Sequence, residues 1–566
     1  MSDTATALLD QARSWMDQDP DPRTRAELAA LVDAAEAKDE TALAELRSRF
    51  SGHLTFGTAG LRAEIGPGPA RMNRVVVSHA AHGLGAFLLE KHAPTTPSVV
   101  VGFDARHNSD VFAKDTAHIL RAMGLRVVLC ERVTPTPVLA FAVRHLDVDA
   151  GVMVTASHNP PADNGYKVYL GGDDGGSQIV PPADSMIHRA IMASHDHSLA
   201  SNLPRSDDYD TAGVELIEAY QSATLQLAQS FPVEGRATLS ICYTPMHGVG
   251  GDVFHSLMSD AGFSSLHPVD EQFAPDPDFP TVSFPNPEEP GALDLAFSHA
   301  STVGADLIIA HDPDADRLAV ALPSPEGSWQ MLSGNELGAI LASARAKDAV
   351  LKGETGVIGF SMVSSPIAQV IADHHGLTGQ DTPTGFKWIS RLPGLLFGYE
   401  EALGYLVNPE TVRDKDGISA GLYLACLAAE LHAQGNTLWD ALEEVRREYG
   451  GFASDQISLR FDTMTIAQSV MGEVRAAPES VFSSLDIDSV DDLLTGGEGD
   501  VAVDLIVFRL AGGSRMIVRP SGTEPKLKVY LDTLRPEQSL AESDLEGLRI
   551  SVRSAIDELL ARVTDV

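Results

Sequence analysis

The sequence predicts an α/β protein in which three similar α/β domains with mixed sheets are followed by a C-terminal α+β domain, arranged around a central cleft. Three observations carry that expectation. At 566 residues the chain is too long for one hydrophobic core, and roughly 100–200 residues per domain gives several domains. Three successive segments repeat one grammar, an apolar β-branched run that ends in a polar or Gly-rich loop and leads into an amphipathic helix. Residues 451–566 abandon it for short strands joined by tight turns and closed by a helix.

Residues 1–50 read as a helical extension, with Leu8, Leu9, Ala12, Trp15 and Met16 at helical spacing. Residues 51–210 form the first α/β domain, in which SVVVGFDARHNS leads to VFAKDTAHILRAMG, LRVVLC and finally GVMV with its loop TASHNP. Residues 211–325 form the second, from ATLSICYTPMHGVG to ADLIIA and its loop HDPDADR. Residues 326–450 form the third, through TGVIGFSMVSS and DTPTGFKWIS to LLFGYEEALGY. The α+β domain carries VAVDLIVFRL, a GGS turn, RMIVRP and KLKVYLDT before LEGLRISVRSAIDELLARV. Ligands of open α/β sheets gather at the carboxyl ends of strands, so three polar loops have reason to meet in one cleft.

Composition narrows the partners. The formal net charge is -38, with 79 Asp plus Glu against 41 Lys plus Arg. Such a surface repels polyanions, which argues against nucleic acid and anionic membranes. An anionic substrate would require basic residues concentrated at its site. Cys130, Cys242 and Cys426 lie far apart in apolar runs and read as buried thiols. With no basic, apolar leader and no long apolar window, the expected location is the cytoplasm.

Four motifs carry chemistry. In TASHNPPADNGYK a continuous apolar strand places Ser157 on a sharp polar turn, where a serine is either a nucleophile or a turn residue. A Ser-His hydrolase fits poorly, because no GxSxG elbow surrounds Ser157 and His158, as its direct neighbour, is not expected to present its ring to the hydroxyl. In HDPDADR, Asp312, Asp314 and Asp316 alternate and can converge on one hard cation, magnesium or calcium rather than zinc. An EF-hand would need Gly and Glu where Arg317 and Pro323 stand. RPSGTEPKLK sets Arg519, Ser521, Gly522 and Thr523 in a turn suited to a phosphate dianion, with Arg515, Lys526 and Lys528 supplying the local reversal of charge. GYEEALGY offers adjacent carboxylates to sugar hydroxyls, and TPTGFKWIS puts Lys387 in a glycine turn beside Trp388; standing alone, both read as surface features.

Taken together and in this order, FGTAGLR, TASHNP with NGYK, DPDADR and RPSGTEPKLKVY resemble the α-D-phosphohexomutase superfamily of phosphoglucomutases and phosphomannomutases. GFKWI, GYEEALGY, RDKDGI and FPTVSFPNPEEP are similar to its branch of larger phosphoglucomutases and phosphopentomutases. The resemblance implies a phosphosugar mutase that works through a phosphoserine at Ser157, with Asp312, Asp314 and Asp316 holding Mg2+ against it. It implies that Arg317 supports that site and that Arg519, Ser521, Gly522 and Thr523 grip the phosphate that is not reacting. Glu401, with Thr384 and Gly385, would contact the sugar. Lys167 and Lys387 would be the candidate general acid and base, with Arg62 and His158 beside them.

The implied substrate is a small-molecule sugar phosphate, with glucose 1-phosphate and glucose 6-phosphate the first expectation and glucose 1,6-bisphosphate the intermediate and activator. Mannose and ribose phosphates, a bisphosphate synthase, and a catalytically silent sugar-phosphate binding protein are the alternatives. The commonest family pattern GExSGH is not kept, since Leu403 and Tyr405 replace its serine and histidine.

Overall fold

The computed structural model describes residues 3–324, 326–495, 502–520 and 525–564. The chain divides into two compact units, Met1–Leu332 with Gly404–Gly435, and Ser333–Leu403 with Asn436–Val566. The stretch Gly404–Gly435, which by sequence order falls inside 326–450, therefore packs with the first unit.

The first unit begins with helices Asp3–Gln18, Pro22–Glu36 and Glu40–Arg49. Asp21 and Asp39 start the second and third by accepting hydrogen bonds from the first-turn amides, and Pro22 sits at the first helical position, where no amide donor is missed. Leu9, Ala12 and Trp15 join Leu28, Val32, Leu46 and the core of the first sheet in one continuous apolar cluster. The helical extension is thus docked on the first α/β domain.

That domain's main sheet runs Leu61–Glu64, Asp163–Leu170, Ala150–Val154, Ser98–Phe103, Arg126–Cys130 and Asp210–Ala212. Its last four strands are parallel and its first two antiparallel, so the sheet is mixed. The second sheet repeats the plan. Leu266–Pro268, Ile241–Thr244 and Leu307–Ala310 are parallel, and Ala319–Pro323 with Trp329–Met331 add an antiparallel edge. The central strands are buried along their length, which is why they read as unbroken apolar runs.

In the second unit Thr378–Thr382, Val357–Ser361 and Leu395–Glu400 are parallel neighbours. The C-terminal sheet is antiparallel throughout, in the order Gly451–Arg460, Lys526–Arg535, Ser514–Pro520, Ile506–Leu510 and Ile487–Asp492. Helix Gln538–Thr564 packs on it and shares its core through Leu548, Val552 and Ile556. All three cysteines are buried, and among the described residues no helix is long and apolar enough to cross a membrane.

Candidate active site

Ser157 follows the carboxyl end of strand Ala150–Val154, and Asp312 follows that of Leu307–Ala310. The two loops meet. Ser157 Oγ lies 3.1 Å from Asp312 Oδ2, although 155 residues separate them along the chain. Ser157 takes a left-handed backbone conformation, φ 51°, in a turn where Thr155 Oγ1 accepts a hydrogen bond from the Ser157 amide at 2.9 Å. Gly165 in NGYK is required by space, since a Cβ there would come within 2.5 Å of the Thr155 carbonyl oxygen.

Arg106 holds this turn. Its guanidinium donates to the carbonyls of Ser157 at 2.7 Å, Asn159 at 2.5 Å, Pro160 at 2.8 Å and Asp163 at 3.1 Å. Beneath it the Arg106 amide donates to Asp104 Oδ1 at 2.9 Å, as does Ser109 Oγ at 2.6 Å. One buried side chain therefore ties four carbonyls of the loop together.

The acidic loop is equally built. Asp312, Asp314 and Asp316 are buried, and each offers an oxygen within 4.8 Å of the others. Ala315 adopts φ 57°, which lets the alternating carboxylates turn to one side. Oδ1 of Asp314 and Oδ1 of Asp316 are buried without a hydrogen-bond partner among the described residues. Burial, then the charges of Asp314 and Asp316, pushes Asp312 well above the carboxylate range. Orphaned oxygens, mutual repulsion and an oxygen-only donor set are what a divalent cation such as magnesium resolves, so these residues fit that metal.

Cations surround the triad. Lys167 Nζ lies 2.7 Å from Asp314 Oδ2 and 3.0 Å from Asp316 Oδ2. Burial opposes its charge, but the two carboxylates outweigh it and raise its pKa. Asp316 is held below the carboxylate range, burial being overcome by Lys167, Lys415 and Arg317. The Arg317 amide donates to Asp312 Oδ1 at 3.0 Å, and its guanidinium pairs with Glu288 at 3.2 Å. Arg62 donates to Asn159 Oδ1 at 3.0 Å, which puts it on the serine loop.

His158 corrects the sequence expectation. Its Nδ1 lies 3.2 Å from Ser157 Oγ, because the left-handed turn at Ser157 swings the following ring back over the hydroxyl. Burial, reinforced by Arg317 and Arg62, drives its pKa well below the usual histidine value, so the ring is neutral.

Sequence reasoning missed a layer beneath the acidic loop. Thr136 Oγ1 donates to Asp314 Oδ2 at 2.6 Å and its amide to the Asp314 carbonyl at 2.9 Å. Lys415 Nζ reaches Asp316 Oδ2 at 3.3 Å. Tyr169 donates to Asp414 at 2.8 Å, Tyr220 to Asp416 at 2.8 Å, and His311 Nε2 sits 2.9 Å from the Gly417 carbonyl. Burial raises Asp416 to about 6. The charge alternation in RDKDGI, so like that of DPDADR, was the available signal for Lys415.

In the second unit, Glu401 follows strand Leu395–Glu400, and its Oε2 accepts from Ser361 Oγ at 2.9 Å and Ser364 Oγ at 3.1 Å. Gly334 is pressed against its carbonyl, where a Cβ would lie 1.8 Å from the oxygen. Thr384 precedes Gly385, whose φ of 109° opens the short helix Phe386–Ile389 carrying Lys387. Arg519 stands opposite Lys528 in the C-terminal sheet; Ser521, Gly522 and Thr523 lie outside the described residues. Arg515, read from sequence as part of the phosphate cluster, is instead engaged by Asp532 at 2.6 Å and by the carbonyls of Met362 and Ser364 at 3.0 and 2.6 Å. Leu403 and Tyr405 are both buried.

Comparison with known proteins agrees with this geometry. Residues 53–197, 218–325 and 333–449 match alpha/beta/alpha domains I, II and III of phosphoglucomutase/phosphomannomutase, and residues 488–546 match its C-terminal domain. A Haemophilus influenzae protein named "Probable phosphomannomutase" is 46% identical over 85% of this chain and 98% of that protein. The Saccharomyces cerevisiae phosphoribomutase is 34% identical over 94% of both chains, and a Staphylococcus epidermidis phosphoglucomutase is 35% identical over 84% of this chain and 90% of that one. The solved structure of Paramecium parafusin has the same fold, at TM-score 0.70 and 18% identity over 90% of this chain and 96% of that chain. The chain belongs to the phosphoglucomutase/phosphomannomutase family of α-D-phosphohexomutases and is a phosphosugar mutase, an isomerase that moves phosphate within one sugar.

Proposed function

We propose that this mutase interconverts a hexose 1-phosphate and a hexose 6-phosphate, with glucose the preferred sugar, through a phosphorylated Ser157 and glucose 1,6-bisphosphate. The observation that carries the reading is Ser157 Oγ at 3.1 Å from Asp312 Oδ2, beside two carboxylate oxygens that have no partner among the described residues. Magnesium bound by the three aspartates and the serine oxygen would neutralise charge on the transferring phosphoryl group.

The free sugar hydroxyl attacks phosphorus on Ser157, the P–Oγ bond breaks, and the hydroxyl proton passes to a base. Lys387 is assigned that base. Lys167, held against Asp314 and Asp316, is assigned the donor of the proton to Oγ. In the return step Ser157 Oγ, with His158 Nδ1 3.2 Å away, attacks the other phosphate of the bisphosphate and returns its proton to Lys167. The bond from that phosphorus to the sugar oxygen breaks, and the sugar oxygen takes its proton back from Lys387. Arg62 and Arg317 add positive charge around the serine. Glu401, with Thr384 and Gly385, binds sugar hydroxyls, while Arg519, Ser521, Gly522 and Thr523 hold the idle phosphate. Positioning and charge, rather than covalent ingenuity, are what phosphoryl transfer asks of a protein.

A pentose is the second reading. Leu403 and Tyr405 are buried where the commonest family pattern has a serine and a histidine, so fewer side chains are presented to hexose hydroxyls, and the yeast phosphoribomutase aligns over nearly the whole chain. Comparing kcat/KM on glucose, mannose and ribose 1-phosphates, with an activating bisphosphate present, tests both. A preference for glucose of at least about tenfold supports the first reading, and a preference for ribose replaces it with the second. Phosphorus NMR of the products separates either from a bisphosphate synthase.

A further inference from the structure

We infer that the third α/β domain carries a second metal site, for a borderline dication of the zinc type, built from His374, His375 and Glu448. One ligand atom of each lies within 4.8 Å of the others. His374 ends helix Ile367–His374 and His375 caps it. Glu448 comes from the last turn of helix Leu438–Tyr449, so the three donors bridge two helices of the same unit.

The surroundings hold the donors in place. Glu448 uses Oε2 for Lys347 Nζ at 2.8 Å, which leaves Oε1 turned to His374 Nε2 at 3.5 Å. The hydroxyl of Tyr449 lies 2.8 Å from His375 Nε2 and 3.1 Å from Ser343 Oγ, and the Tyr449 ring stands edge-on to His374 at 5.1 Å. Contacts of this kind, one step out from the donors, fix ring and carboxylate orientation at metal sites.

Donor chemistry separates this site from the aspartate triad. Two imidazoles and one carboxylate suit zinc, nickel or cobalt, whereas three carboxylates suit magnesium. The side chain of His374 is 48% exposed, so an ion can enter from solvent and water can complete its coordination. Bound there, the ion would tie helix Ile367–His374 to helix Leu438–Tyr449 and stabilise the folded unit by mass action.

The test uses the full-length chain, stripped with a chelator and returned to excess magnesium, then titrated calorimetrically with zinc chloride. The expected result is one zinc per chain, weakened at least about tenfold in His374→Ala and in His375→Gln, and kept in Asp314→Asn. Zinc should raise the melting temperature of the wild type and leave that of His374→Ala unmoved, while mutase kcat/KM in magnesium stays the same in His374→Ala. Identical zinc isotherms for the wild type and His374→Ala overturn the site. So does zinc uptake that disappears in Asp314→Asn yet survives both histidine variants. Should His375→Gln fail to fold, the exposed His374 decides the matter alone.

Discussion

The guanidinium of Arg106 donates to the main-chain carbonyl of Ser157 at 2.7 Å, and the same fork reaches three more carbonyls of the loop that follows. A residue 51 positions upstream thereby holds the backbone of the proposed nucleophile in a left-handed turn it would not hold alone.

Replacing Arg106 by Ala should therefore reach beyond stability. It leaves Asp104 buried beside an empty cation position, a change expected to cost about 3–5 kcal/mol, and it frees the serine loop. Misplacement of a reacting group by about 1 Å costs on the order of 100-fold in rate, so kcat should fall by that order while KM changes little. Arg106→Lys should rescue stability more than kcat, because an ammonium cannot span four carbonyls. Equal rescue of both would reduce Arg106 to a packing residue.

Ser157→Ala should lose mutase turnover and covalent phosphate on intact-mass measurement. Its unfolding free energy should change by only about 1 kcal/mol, the worth of one hydrogen bond. Wild-type turnover in that variant removes Ser157 from the mechanism.

Asp314→Asn keeps the size of a side chain that accepts from Thr136 and Lys167 and removes its charge. The magnesium concentration for half-maximal activity should rise at least about tenfold, since affinity for a hard cation follows the number of charged oxygens. A superimposable magnesium titration would count against the acidic loop as the metal site.

A buried histidine of the first α/β domain should make the protein acid-sensitive. His79 is buried, with Nδ1 2.9 Å from Ser194 Oγ and its ring 3.8 Å from that of His195. Burial, then the charges of His82 and His53, lowers its pKa to about 4. The unfolded chain binds this proton near pH 6.5, so the stability is complete above that pH and is lost as pH falls toward about 4. A shift of this size corresponds to roughly 3 kcal/mol. Urea unfolding at pH 7 and pH 4 should show His79→Asn, which keeps a partner for Ser194, to be less pH-dependent than the wild type. Equal slopes would show that other groups govern the acid response.

Much of the fold was legible because its signals are local. A buried parallel strand must be an unbroken apolar run, and the loop at its carboxyl end must be polar, so Ser157, Asp312, Asp314 and Asp316 could be found by their place in that alternation, whereas Glu401 stood out only through the family resemblance. The antiparallel C-terminal sheet showed itself in the same way, through short strands and tight turns.

What the sequence by itself determined is the kind of chemistry: one serine, three alternating carboxylates and a basic turn in a strongly acidic chain. The tertiary structure alone decided which residues support it. Arg106, Thr136 and Tyr220 stand outside the motifs that carry chemistry, Lys415 shows only in the charge pattern of RDKDGI, and the partners of all four lie far along the chain. It also brought His158 back onto Ser157, closed Leu403 and Tyr405 away from solvent, and docked the N-terminal helices on the first domain. Periodicity reports whether a side chain points inward, whereas a contact depends on where two distant segments meet, and that is fixed only when the whole core packs.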